Sequence, residues 1–140
     1  MRKGGRVHGP DGRRVFAIKL PKKVRRYALR SILTARMIEN QLFIVESLST
    51  KGEDDFRFKT KNMAALVQHR KWDSVYFIDE NNMDDLLHNA GKNIFKVLVH
   101  PTRALNAYDM MKRKTIVISK PGLVELNAHL DESARPKVYY

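Results

Sequence analysis

Four short apolar runs, alternating with stretches of helical periodicity, constrain this chain more than anything else in it. They are Leu42-Phe43-Ile44-Val45, residues 74–78, residues 95–99 and residues 115–118. A continuous run of four or five apolar residues bounded by polar ones predicts a strand covered on both faces. Between the runs, 60–71 reads as a helix burying Met63, Ala64, Leu66 and Val67, and 82–89 as one burying Met83, Leu86 and Leu87, with Gly91 ending it. Further helices are expected over 105–111 and 121–130. Pro21 suits the start of an earlier one over 22–40. Alternation of this kind predicts an α/β fold, a parallel sheet with helices on both faces.

In the first helix, Val24, Tyr27, Ala28, Ser31, Ala35 and Ile38 recur along one stripe, which is expected to face the core. Leu29, Leu33 and Met37 fall on the far side and predict a second packing surface. The cations lie between the stripes, with Arg25 and Arg36 on one flank and Lys23, Arg26 and Arg30 on the other. They read either as stems covering apolar neighbours or as a helix lying on RNA.

Charge favours RNA. The first 36 residues hold 12 of the 27 Lys and Arg against one of the 15 acids, so +11 of the net +12 is gathered there. A cluster this dense repels itself, and a polyanion, most economically a nucleic-acid backbone, relieves it. Residues 1–20, with Arg2, Lys3, Arg6, His8, Arg13, Arg14 and Lys19 set among Gly4, Gly5, Gly9, Pro10 and Gly12, read as a basic extended arm or as a solvated tail. Residues 21–130 then form the α/β domain and 131–140 a polar tail. No apolar run nears the roughly 20 residues of a membrane span, so no membrane partner is expected. The amino terminus is Arg-rich and acid-poor, as transit peptides are, but its glycines and Pro10 oppose an amphipathic helix. Without cysteine there is neither a disulfide framework nor a thiolate metal site.

An enzyme on this fold would show itself outside the carboxyl ends of the strands. Those ends carry Glu46, Asp79 with Glu80, His100 and Ser119. Carboxylates such as Glu46 and Asp79 on neighbouring strands can hold magnesium, so a magnesium-dependent nucleic-acid-processing enzyme is the alternative function. Against it, acids beside helix amino termini are favoured anyway. Gly52, Gly91 and Gly122 form no phosphate cradle, the five histidines lack ligand spacing, and no serine sits in a nucleophile elbow. No catalytic residue, cofactor or metal is therefore expected, and His88, His129 and Trp72 read as surface and packing residues. Asn106 and Asp109 have capping-box spacing, Asn106 accepting from the third helical N–H and the acid reaching back. Lys112, Arg113 and Lys114 follow, either complementing the helix end or extending an RNA surface.

Three segments carry a resemblance: Gly4-Gly5-Arg6-Val7-His8-Gly9-Pro10, Pro21-Lys22-Lys23-Val24-Arg25-Arg26-Tyr27-Ala28-Leu29-Arg30-Ser31, and Leu105-Asn106-Ala107-Tyr108-Asp109-Met110-Met111 followed by Thr115-Ile116-Val117-Ile118. Together they resemble the ribosomal protein L-four family of the large subunit, in order and over nearly all of the chain up to Leu130. The resemblance implies a three-layer α/β/α domain with a four-stranded parallel sheet. It also implies a structural, non-catalytic protein that binds large-subunit ribosomal RNA early in assembly and contacts neighbouring large-subunit proteins. The family's long basic loop reaches the peptide exit tunnel; Gly4 to Pro10 match its returning end, while its tip and the family's amino-terminal region have no counterpart here. A fragment, a shortened organellar form and half of a split protein, with a separate chain supplying the missing part, all fit. Arg103-Ala104 stand where the family has a glycine before the Leu-Asn pair. Gln68-His69-Arg70-Lys71-Trp72-Asp73-Ser74-Val75 looks like the mitochondrial members, which implies the matrix mitoribosome, with cytoplasmic and plastid ribosomes as alternatives.

Overall fold

In the computed structural model, which describes residues 8–9, 12–48 and 59–131, β2 (Val75–Asp79) and β4 (Thr115–Ser119) form the centre of one sheet. Every residue of both strands is buried. β3 (Val97–Pro101) flanks β2 and β1 (Leu42–Val45) flanks β4, giving the order β1-β4-β2-β3 with all pairs parallel. The helices are α1 (Lys22–Ile38), α2 (Thr60–His69), α3 (Asp85–Lys92), α4 (Ala107–Lys112) and α5 (Lys120–Leu130), with a 3-10 turn at Thr102–Ala104.

Side chains alternate across the strands, and this divides the core in two. On one face Val75, Phe77, Val97, Val99 and Val117 pack with Met63 of α2 and with Leu87 and Ala90 of α3. On the other, Tyr76, Ile78, Ile116 and Ile118 pack with Leu29 of α1, Met110 of α4, and Leu126 and Leu130 of α5. The result is the three-layer α/β/α arrangement, with a four-stranded parallel sheet between helical layers.

Several expectations need correction. β1 is not covered on both faces: among the described residues it pairs with β4 alone, and Phe43 and Ile44 are 42% and 55% exposed. The first run had the right residues but gives an edge strand, which its neighbours cover incompletely. Leu66 and Leu86 point outward. Gly91 lies within α3 rather than after it, because the helix packs so close to β3 that an added Cβ would stand 2.6 Å from Val99 Cγ2. The third strand begins two residues late: Lys96 turns the chain at φ 75°, leaving Phe95 exposed.

The stripes of α1 are also exchanged. Leu29 is buried and Ile32 and Leu33 pack beside it, whereas Val24, Tyr27 and Ile38 are exposed. Apolar area decides this: the Leu29, Ile32 and Leu33 face offers three large side chains, while the centre of the expected stripe is Ala28, Ser31 and Ala35.

At the start of α4, Asn106 accepts from Tyr108 N–H at 3.1 Å, the second helical residue rather than the third. Asp109 accepts from the Asn106 side-chain amide at 3.0 Å instead of reaching the backbone.

Candidate nucleic-acid interface

Residues 12–20 form neither helix nor strand and are exposed throughout, so Arg13, Arg14 and Lys19 stand in solvent beside Val15, Phe16 and Ile18. Arg14 lies 5.3 Å above the Phe16 ring. His8 sits in an exposed turn at φ 53°. Arg2, Lys3 and Arg6 lie outside the described residues.

The arm runs directly into α1 at Pro21, which has no side chain to cap the helix, and the first turn contains no acid. Lys22, Lys23 and Arg25 occupy it, all exposed. A helix amino terminus already carries about half a positive charge and orphan N–H groups. Cations there oppose the usual preference, so the arm and first turn make one continuous positive surface suited to anions.

Further along α1, two of the expected RNA-contacting arginines, Arg30 and Arg36, also make protein contacts. Arg26 is only 8% exposed and so does not lie on an open flank. Arg30 donates to the Leu130 carbonyl at the end of α5. Arg36 donates to Glu39, to Gln41 Oε1 at 3.0 Å and to the Met111 carbonyl at 3.1 Å. Unpaired carbonyls at a helix carboxyl end attract cations, and here they fasten α1 to α5 and α4. Arg30 and Arg36 thus serve as structural ties.

Lys112 lies 4.2 Å above the exposed Tyr108 ring, while Arg113 is half-buried, its Nε shielded from solvent and, among the described residues, without an acceptor. Because Arg36 reaches Met111, these two cations lie near the opposite end of α1 from the arm, about 20 Å away by helical rise. They lie apart from the arm, on another part of the surface.

The strand ends give no magnesium pair. β4 separates β1 from β2, so the ends bearing Glu46 and Asp79 are about two strand spacings, ~10 Å, apart. One magnesium needs its oxygens at about 2 Å. Glu46 is exposed and pairs with Lys120 at 3.0 Å, while Asp79 is buried and accepts from Ser119 Oγ at 2.6 Å. Among the described residues no three His, Asp or Glu side chains gather as a metal site. His100 is partly buried with its ring 5.6 Å from that of Tyr76, and burial lowers its pKa.

Sequence reasoning missed a network beside these ends. The Thr102 hydroxyl lies 2.7 Å from Glu125 Oε2 and 3.0 Å from Asn81 Oδ1, sharing its one proton between them. Asn81 N–H donates to the same Glu125 oxygen at 2.9 Å, and Arg103 N–H donates to Asn81 Oδ1 at 3.1 Å. The Thr102 hydrogen bond is the main reason the Glu125 carboxyl lies below its usual range. The effect is to fix the backbone at Arg103, whose side chain comes to the amino-terminal end of α1. The signal for it was the replacement of a family glycine by Arg103-Ala104.

The family model described as "Ribosomal protein L4/L1 family" matches residues 1–129. The chain is similar to proteins named large ribosomal subunit protein uL4: it is 36% identical to that of Paramagnetospirillum magneticum, 34% to that of Rickettsia prowazekii and 32% to that of Rickettsia bellii. In each case the match covers 130 residues, 93% of this chain and 60% of the relative. The chain thus spans about three fifths of the length of these relatives.

Proposed function

The chain belongs to the ribosomal protein L4/L1 family, and from that premise we propose that it is a structural, non-catalytic constituent of the large ribosomal subunit. In this reading it binds large-subunit ribosomal RNA through an arm at residues 1–20 and the first turn of α1, with residues 21–130 as the domain that presents them and 131–140 as a tail. The observation that carries it is the uncapped, acid-free amino terminus of α1, whose Lys22, Lys23 and Arg25 continue the charge of the arm. Such an end is unfavourable alone and favourable against phosphates.

Neighbouring large-subunit proteins are the second class of partner. The exposed side of α1 and α4 supports this, where Ala28, Ile32, Ala35, Ala107 and Met111 line an open apolar groove of about 450 Å³. A separate chain supplying the family's amino-terminal part belongs to the same reading, as does a position near the peptide exit tunnel. The compartment we propose is the mitochondrial ribosome, on the likeness of residues 68–75 to mitochondrial members.

Sedimentation of cell extract tests the reading. The chain is expected almost entirely with the large subunit, and in the mitochondrial fraction. Recovery largely as free protein would contradict the ribosomal assignment, and recovery with cytosolic or plastid ribosomes would contradict the compartment.

A further inference from the structure

We propose that Lys22, Arg25, Arg26 and Arg103 form a seat for a single backbone phosphate of RNA. Three of these cations come from the first turns of α1 and the fourth from the 3-10 turn after β3. They line one recess of about 210 Å³, with Leu29 and Leu105 as its apolar wall and His129 of α5 at its edge. No acid lines it. Its volume falls below the roughly 300–1,000 Å³ of small-molecule pockets, so it suits one anionic group rather than a whole ligand.

Arg26 gives the seat its specificity. It is 8% exposed, it lines the recess, and among the described residues no carboxylate or hydrogen-bond acceptor pairs with it. The Arg26 side chain is largely withdrawn from water, its head group reaching solvent only through the recess, and the neighbouring cations make a charge held there without a counter-charge unfavourable. The arrangement is explained by an anion from outside the chain. Guanidinium groups offer planar donor pairs that match phosphate oxygens, and the uncapped N–H groups at the start of α1 point toward the same end.

The opposing side is fixed as well. The Arg103 backbone is held by Asn81, which belongs to the network with Thr102 and Glu125. Glu125 feels the charge of Arg103 and is itself engaged by Thr102 and the Asn81 N–H. The recess adjoins Lys22, where the arm joins the helix, so the phosphate belongs to the RNA that the arm tracks. The seat therefore rests on the RNA-binding reading.

The test uses the full chain and a large-subunit ribosomal RNA transcript, with affinity measured across a salt series for the wild type, Arg26→Met and Arg103→Gln. Each variant is expected to bind more weakly and to flatten the log–log salt slope by about 0.7–0.9, the value of one phosphate contact. The free Arg26→Met chain should melt no lower than the wild type, since an unpaired buried charge is replaced by an apolar chain of similar reach. Loss of stability together with weaker binding would make Arg26 merely structural, unless the exposed Arg103→Gln variant, folded normally, still flattens the slope. Unchanged slopes in both folded variants would overturn the proposal. So would inorganic phosphate, at matched ionic strength, raising the melting temperature of the wild type but not of Arg26→Met while both slopes stay unchanged, since the seat would then take a free anion. A wild-type affinity insensitive to salt would instead sink the RNA-binding reading itself.

Discussion

Ser119 Oγ donates to Asp79 Oδ1 at 2.6 Å and accepts from the Gly122 N–H at 3.1 Å, so one hydroxyl ties the end of β2 to the end of β4 and caps α5. The buried carboxylate is a structural acceptor. Asp79→Ala should strand that hydroxyl and lower stability by about 1–3 kcal/mol. Glu46→Gln, which loses only an exposed pair with Lys120, should change it by less than about 1 kcal/mol. Urea denaturation measures both, and equal effects would mean that Asp79 is not held as described.

Gly122 sits under the same contact. An added Cβ would stand 3.1 and 3.2 Å from the Asp79 backbone carbon and Cα, and 2.9 Å from Ser119 Oγ. Gly122→Ala should therefore destabilise by about 1–3 kcal/mol, since backbone must shift to make room. Gly12→Ala meets nothing within 4 Å and should leave the melting temperature unchanged. A neutral Gly122→Ala would show that α5 is free to move away from β2.

The two faces of α1 make opposite predictions. Leu29→Ala, at a buried position, should lower stability by about 2–4 kcal/mol. Ala28→Arg should leave the free domain folded, because Ala28 borders the open groove between α1 and α4 and a long side chain can reach solvent there. Circular dichroism on both variants decides the orientation: an unfolded Ala28→Arg beside a stable Leu29→Ala would restore the face expected from periodicity.

Burial pushes the Tyr76 hydroxyl up to about 12. An unfolded tyrosine ionises near 10, so between those values the unfolded state releases a proton that the folded state keeps. The stabilisation associated with neutral Tyr76 is present below about pH 10 and declines as pH rises through 12. Phenolate absorbance should show one of the five tyrosines titrating late, together with unfolding. Titration of all five near pH 10 in the folded chain would contradict the burial.

The sequence made the alternation of strands and helices legible because continuous apolar runs such as Ile116-Val117-Ile118 can be satisfied only where both faces are covered. It did not distinguish an edge strand from a central one: Phe43 and Ile44 are as apolar as Phe77 and Ile78, and exposure depends on strand order. On α1 a count of apolar positions ranked Ala28, Ser31 and Ala35 with the stripe that matters, whereas bulk at Leu29, Ile32 and Leu33 settled the packing. At the site, the charge of the arm and of Lys22, Lys23 and Arg25 was readable as charge. The diversion of Arg30 and Arg36 to the carbonyls of Leu130 and Met111 was not, since it depends on which helix ends meet α1. Arg103 joins the same surface across about 77 residues of sequence, a juxtaposition that only the sheet order creates.

On the proposed function, the local charge of this chain exists to meet an RNA backbone. The direct measurement is the salt dependence of affinity for large-subunit ribosomal RNA, with and without residues 1–19, which carry six of the Lys and Arg. If those six meet phosphates, the full chain should lose affinity on the order of a thousandfold between about 50 and 200 mM salt, and the truncated chain should show a slope shallower by about 5. An identical slope for the two chains would contradict the account, because the charge of the arm would then be incidental to binding.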